Sequence, residues 1–192
     1  MAYDLKSVFY LDTSAEITKS TAGVGTAQLD LSAYIDPIAR GRTKGTGLAI
    51  YKVHWSMIDA DNTSKPWDDA ETGTMQAGLI AGAGVGDAAT GAGATMATGT
   101  FSNTNNLMIS NCSFFGPKSQ VANANTPLSA WPNTQVDPSV EVPYVIVRDN
   151  VCILYMVGEN FVDDYTLSVR LECAQISLDQ ATLNQLLRTQ TV

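Results

Sequence analysis

Hydrophobic and polar positions fall into three distinct patterns between Val142 and Leu178. YVIV at 144–147 and VCILYMV at 151–157 are dense runs of β-branched, aliphatic and aromatic residues, the composition of strands. In the third, Tyr165, Leu167, Val169, Leu171 and Cys173 alternate strictly with Thr166, Ser168, Arg170 and Glu172. A period of two sends the first set to a buried face and the second to water or a neighbouring subunit, as in a sandwich whose sheets each bury one side. Earlier in the chain, Ser7 to Leu11 reads as a first strand, and Thr26 to Ile35 as a second in which Leu29, Leu31 and Ala33 alternate with Gln28, Asp30 and Ser32. GLAIYKVHWSMID at 47–59 predicts a long central strand. Strict alternation places Ala49, Tyr51, Val53, Trp55 and Met57 on one side, and the half-apolar set Leu48, Ile50, Lys52, His54, Ser56 and Ile58 on the other. At the far end SLDQATLNQLLRTQ pairs Ser177 with Gln180 as a capping box ahead of an apolar stripe of Leu183, Leu186 and Leu187, which predicts a short C-terminal helix.

Between these elements the punctuation changes. Asp36-Pro37 ends the second strand, and IARGRTKGTG sets Arg40, Arg42 and Lys44 among glycines. DADNTSKPWDDAE at 59–71 clusters Asp, Asn, Ser and Pro and reads as a loop. From Gly78 to Gly99, glycine and alanine supply 14 of 22 residues, seven of each. So little apolar area fits either a long insertion or strands whose backbones approach closely. A further strand is expected around Leu107 to Ser110. The proline-rich stretch that follows reads as a loop excursion with room for a short helix, long enough to imply a purpose such as packing on a partner.

Composition narrows the functional classes. The 192 residues fit one domain, 1–192. Charged residues make up only 16%, below the roughly 25% usual for soluble domains, so much of the surface is Ser, Thr, Asn, Gly or apolar and suits contact with other protein. A net charge of -8 argues against a free-standing nucleic-acid binder, which releases counterions through a basic face. No apolar run reaches the length of a membrane span, and VFYL at 8–11 is too short for the core of a signal peptide. Cys112, Cys152 and Cys173 lack metal-type spacing. Cys152 and Cys173 lie in strands expected to be neighbours, which allows a disulfide, although buried thiols are the commoner arrangement. Asn62 and Asn111 begin Asn-x-Ser/Thr triplets, at the rate chance gives in so Ser/Thr-rich a chain.

Catalytic and cofactor chemistry finds little footing. Gly84, Gly86 and Ala89 match a dinucleotide-binding turn, but no strand–helix–strand pattern flanks them and no acid lies about 20 residues on. Asp59, Asp61 and Thr63 begin like a calcium loop, yet Ser64 stands where glycine is required and Ala70 where glutamate is, which excludes an EF-hand. The residues leave open a looser cation site using Asp59, Asp61, Asp68, Asp69 or Glu71, beside a plain solvated acidic loop. His54 is the single histidine, so zinc sites of the usual kind are ruled out and a structural role is the ordinary expectation. Asp163 and Asp164 read as turn formers. No catalytic, metal or cofactor residues are assigned, and the chain is expected not to be an enzyme. The basic loop of Arg40, Arg42 and Lys44 suits pairing with the acidic 59–71 region of an adjacent copy better than contact with phosphate.

The order of these features resembles single jelly-roll viral capsid proteins: the strand LDLSAYIDP, the long strand GLAIYKVHWSMID, a Gly/Pro-rich middle, and the terminal pair VRDNVCILYMVGENFVDDYTLSVRLECAQISL. That resemblance implies an all-β, eight-stranded jelly-roll β-sandwich of two antiparallel sheets with Greek-key connections, its last two long strands central in facing or adjoining sheets. It also implies a virion protein that self-assembles through symmetric contacts into an icosahedral shell. The expected partners are identical subunits in a large homo-oligomer, with room for a second coat protein. One departure is the near absence of a basic arm, since the first ten residues carry only Lys6. Contact with nucleic acid is therefore expected to be weak or indirect, which suits a shell with an inner membrane or another genome-binding component. The expected subunit contacts are Arg40, Arg42, Lys44, Trp67, Asp68, Asp69, Trp131, Leu183, Leu186 and Leu187. The alternative is a cell-surface adhesin or carbohydrate-binding sandwich that uses Trp67 and Trp131 on a sugar face. A metal enzyme on a similar scaffold would depend on His54.

Overall fold

The computed structural model describes residues 8–36, 44–61, 71–82, 101, 104–116 and 137–190. Its strands are β1 (Phe9–Ile17), β2 (Gly23–Asp30), β3 (Lys44–Asp59), β4 (Thr74–Ala81), β5 (Met108–Phe115), β6 (Tyr144–Ile146), β7 (Asn150–Glu159) and β8 (Tyr165–Asp179), followed by helix α1 (Gln180–Thr189). They form two four-stranded antiparallel sheets, a first in the order β1-β8-β3-β6 and a second in the order β2-β7-β4-β5. Pairing is nested from the chain ends inward: β1 with β8, β2 with β7, β3 with β6 and β4 with β5. The added pairings β3·β8 and β4·β7 then close each sheet.

The alternation read in β8 is observed, with Tyr165, Leu167, Val169, Leu171 and Cys173 buried in the core between the sheets. From the second sheet Ala77, Leu79, Ile153 and Val157 meet them. Trp55 ties the layers across this core, its Nε1 donating to Ser110 Oγ at 2.9 Å. The dense run in β7 has a different cause: both of its faces are covered. Val151 and Ile153 lie on the core side, while Cys152 and Leu154 are equally buried on the opposite side, where Leu154 pairs with Gly78 and Cys152 with Ile80 of β4. A strand buried on both sides has no polar set to alternate with.

Several expectations need correction. The first strand runs from Phe9 to Ile17, well past Leu11, and the second spans Gly23–Asp30, because Leu31 to Ile35 form a turn closed by Tyr34 N–H and Ile35 N–H to Leu31 O. Strict alternation fails in β3, where the register shifts between Ile50 and Lys52. Leu48 and Ile50 face the core, the bulge turns Tyr51 and Lys52 outward together, and Val53, Trp55 and Met57 resume on the core side. Ala49 and Tyr51 therefore do not share a face with Val53. Part of the Gly/Ala-rich stretch is strand, since β4 reaches Ala81, and Gly78 lets the Met108 side chain lie close against its backbone, the strand-pair alternative. The helix is capped by Asp179, whose carboxylate accepts Thr182 N–H at 2.7 Å, and not by Ser177, which is still in β8. Cys152 and Cys173 sit in different sheets, and all three cysteines are buried without forming a disulfide. Burial pushes the Cys173 thiol up to about 12 and Cys112 higher still, so both stay protonated.

Candidate functional site

The outer side of the first sheet divides into two halves. Over one half lies α1, whose Leu183 inserts among Ala49, Tyr51, Val147, Ala174, Ile176 and Leu178, with Leu186 and Leu187 half-buried at the margin. Gln190 fastens the helix end by donating to Val145 O at 2.6 Å and accepting Val147 N–H at 3.2 Å. Past the bulge the same sheet side is polar and lies beyond the helix. Register stacks its outward residues in rows across β1, β8 and β3: Tyr10–Glu172–Lys52, then Asp12–Arg170–His54, then Ser14–Ser168–Ser56.

Three serines abreast leave a low strip beside the taller Asp–Arg–His row. The result is an open depression of about 650 Å³ lined by Tyr10, Asp12, Ser14, His54, Arg170 and Glu172, among others. His54 Nε2 lies 2.8 Å from Glu172 Oε1, which fixes both side chains in the floor. The Arg170 guanidinium lies 5.9 Å from the centre of the Tyr10 ring, within reach of a cation–π contact, and Tyr10 remains 60% exposed. Beyond Ile50 the other edge of β3 has no paired strand among the described residues, because β6 spans only three residues. Asp137 takes the Val53 N–H there at 3.2 Å. Burial raises its pKa, against hydrogen bonds from Val53 and Ser110 and the charges of Lys52 and His54.

At one end of the sandwich the connections between β1 and β2, β3 and β4, and β7 and β8 meet. Asp164 Oδ1 accepts Lys19 N–H at 2.6 Å and Asp164 O accepts Ala60 N–H at 2.8 Å, so the turn-forming role read for this residue extends to its neighbours. Glu71, 0% exposed, accepts Gly73 N–H at 2.6 Å, Val162 N–H at 3.0 Å and the Tyr165 hydroxyl at 3.0 Å. Asp59 accepts Asp61 N–H at 2.8 Å, and Asp61 lies 3.6 Å from Lys19 Nζ. The described acids of the loose cation alternative are thus engaged with the chain, and no group of three metal-ligating side chains occurs among the described residues.

Of the expected contact residues, Lys44 opens β3 opposite Asp179, and Leu183 is spent inside its own chain. Arg40, Arg42, Trp67, Asp68, Asp69 and Trp131 lie outside the described residues, as do Asn62 and Gly84, Gly86 and Ala89. Asn111 is buried and donates to Phe101 O at 3.2 Å, which closes it to glycosylation in the folded chain. The row of Tyr10, Asp12 and Ser14 was not singled out from sequence; only the β8 half of the pattern signalled an outward polar face. No helix among the described residues is long and apolar enough to cross a membrane.

No protein-family model, curated protein or solved structure matches the chain.

Proposed function

We propose that this chain is a structural subunit of a viral capsid, a single jelly roll that self-associates through symmetric contacts into an icosahedral shell and resides in the virion. The observation that carries the reading is the nested pairing β1·β8, β2·β7, β3·β6 and β4·β5 with alternate pairs divided between two sheets. Such nested pairing is what a long two-stranded ribbon wrapped around a core would leave, and it supports the reading of an eight-stranded jelly roll with Greek-key connections. It brings alternate loops to each end, where a subunit can meet its neighbours.

The surface supports association in the same direction. Val140 and Val142 are 76% and 73% exposed on a turn held by Ser139 Oγ accepting Val142 N–H at 3.1 Å, and Val162 projects from the loop cluster bound by Glu71. Apolar side chains held out on ordered turns gain most when a partner covers them. Identical subunits are the main partners, joined by Arg40, Arg42 and Lys44 against Asp68 and Asp69, with Trp67 and Trp131 as anchors. A second coat protein completes the shell where one is needed. With a net charge of -8, the genome is contacted weakly or through another component.

The test is particle formation by the purified chain, measured by light scattering and negative-stain microscopy over a range of concentration, salt and pH. Closed particles of uniform diameter are expected, and charge reversal of Arg40 and Arg42 lowers their yield. A 20.4 kDa monomer under every condition refutes the proposal.

A further inference from the structure

We propose that the bare half of the first sheet's outer side is a carbohydrate-binding site for uncharged pyranose rings of a glycan, used independently of the loop tryptophans. Three observations converge on that ligand. Tyr10 presents an accessible ring at the rim of the depression, and an aromatic face is the natural platform for the C–H face of a sugar. Beside it the rows offer every hydrogen-bonding type a ring of hydroxyls requires: acceptors in Asp12 and Glu172, a multiple donor in Arg170, and hydroxyls of both kinds in Ser14, Ser56 and Ser168. Third is the charge balance. Lys52 and Arg170 offset Asp12 and Glu172 within the three rows, although the whole chain carries -8. A face of no net charge on an acidic protein discriminates against ions of either sign and favours a neutral polyol. The volume of about 650 Å³ is that of ordinary ligand clefts, and the His54–Glu172 contact at 2.8 Å holds two of the polar groups in place before a ligand arrives.

This site does not depend on the assembly reading, because the experiment uses the unassembled chain. Saturation-transfer NMR is run with lactose, maltose, cellobiose and diacetylchitobiose at about 1 mM, with sialyllactose and a heparin disaccharide as charged comparators. At least one neutral disaccharide is expected to receive saturation. Tyr10→Ala should weaken its binding at least about tenfold, and Ser168→Trp, which fills the strip, should abolish it, while both variants keep the wild-type melting curve. Val140→Ala, which does not line the depression, should bind as wild type. No response from any neutral sugar overturns the proposal, as does equal binding by wild type and both face variants, or binding confined to the charged comparators. If the face variants alter the sedimentation coefficient while no disaccharide binds, the face belongs to a second copy of the chain and the proposal is again overturned.

Discussion

Leu183→Ala asks whether α1 is part of the subunit's own core or a handle for a neighbour. Leu183 is 0% exposed, and its surroundings are six residues of β3, β8 and the segment after β6. Full burial of a leucine is worth about 1.5–3 kcal/mol in transfer alone, and Leu→Ala in a core costs about 2–5 kcal/mol once the cavity is included. This cluster is small and lies under a single helix that can settle inward, so the lower half of that range applies, about 2–3 kcal/mol. With a urea dependence of about 2–3 kcal/mol per M, the midpoint should move by about 1 M. Urea titration followed by far-UV circular dichroism at two protein concentrations tenfold apart provides the readout. The shift should be the same at both concentrations, since the contact is intramolecular. A shift below about 0.3 M, or a shift between wild type and variant that changes with protein concentration, would refute the assignment of Leu183 to its own chain.

Three further outcomes follow from individual contacts. Glu71→Ala strips the acceptor from Gly73 N–H and Val162 N–H; at about 1–3 kcal/mol for each donor left unsatisfied it should cost about 2–6 kcal/mol by urea titration, whereas Glu71→Gln, which retains one oxygen, should cost less, and equal losses would contradict this role. Gly25→Val should destabilise strongly, because a Cβ at Gly25 would overlap the ring of Tyr155, whose hydroxyl is held by Glu16 O at 3.0 Å; restoration by the double variant Gly25→Val/Tyr155→Ala checks the clash, and no gain from removing the ring would count against it. Asp137 has a folded-state pKa raised by burial, so its contribution favours folding at low pH and is lost as pH rises through that raised value. Melting curves measured upward from the ordinary aspartate range near ~4 should show less of this decline in Asp137→Asn, which keeps an oxygen for Val53 N–H, and an unchanged profile would exclude Asp137 as its source.

How far the fold was legible in the sequence depended on whether one strand carried its own explanation. From Tyr165 to Cys173 in β8 it did: one side is buried and the other is not, so the alternation alone gave both the strand and its orientation. In β3 the same reasoning failed at one place, because a bulge at Tyr51 alters parity without leaving a glycine or proline to mark it. The bulge shapes the candidate face, since Tyr51 stays with Ala49 under α1 while Lys52, and with it His54 and Ser56, turns outward onto the bare half. In β4, Ala77, Gly78 and Ala81 hide the strand by supplying so little apolar area, and its existence follows from what β5 and β7 place on either side. The helix cap slipped from Ser177 to Asp179 because β8 continues to Asp179 as the partner of Lys44, so a tertiary pairing outweighed a local capping signal.

The candidate face was half visible for a related reason. Ser168, Arg170 and Glu172 announced themselves by alternation, but their meaning lies in the residues abreast of them, Tyr10, Asp12 and Ser14 on one side and Lys52, His54 and Ser56 on the other. Those neighbours come from segments more than 100 residues away in the chain, and a shift of one residue in either register would exchange the whole outward row for core residues. The parity of the pairing is fixed from within, by Leu11, Val169 and Val53 on the core side, since a one-residue slip would turn them outward. The polar platform is thus specified by the hydrophobic residues beneath it, and a core substitution that let β1 slip would erase the site without touching any of its side chains.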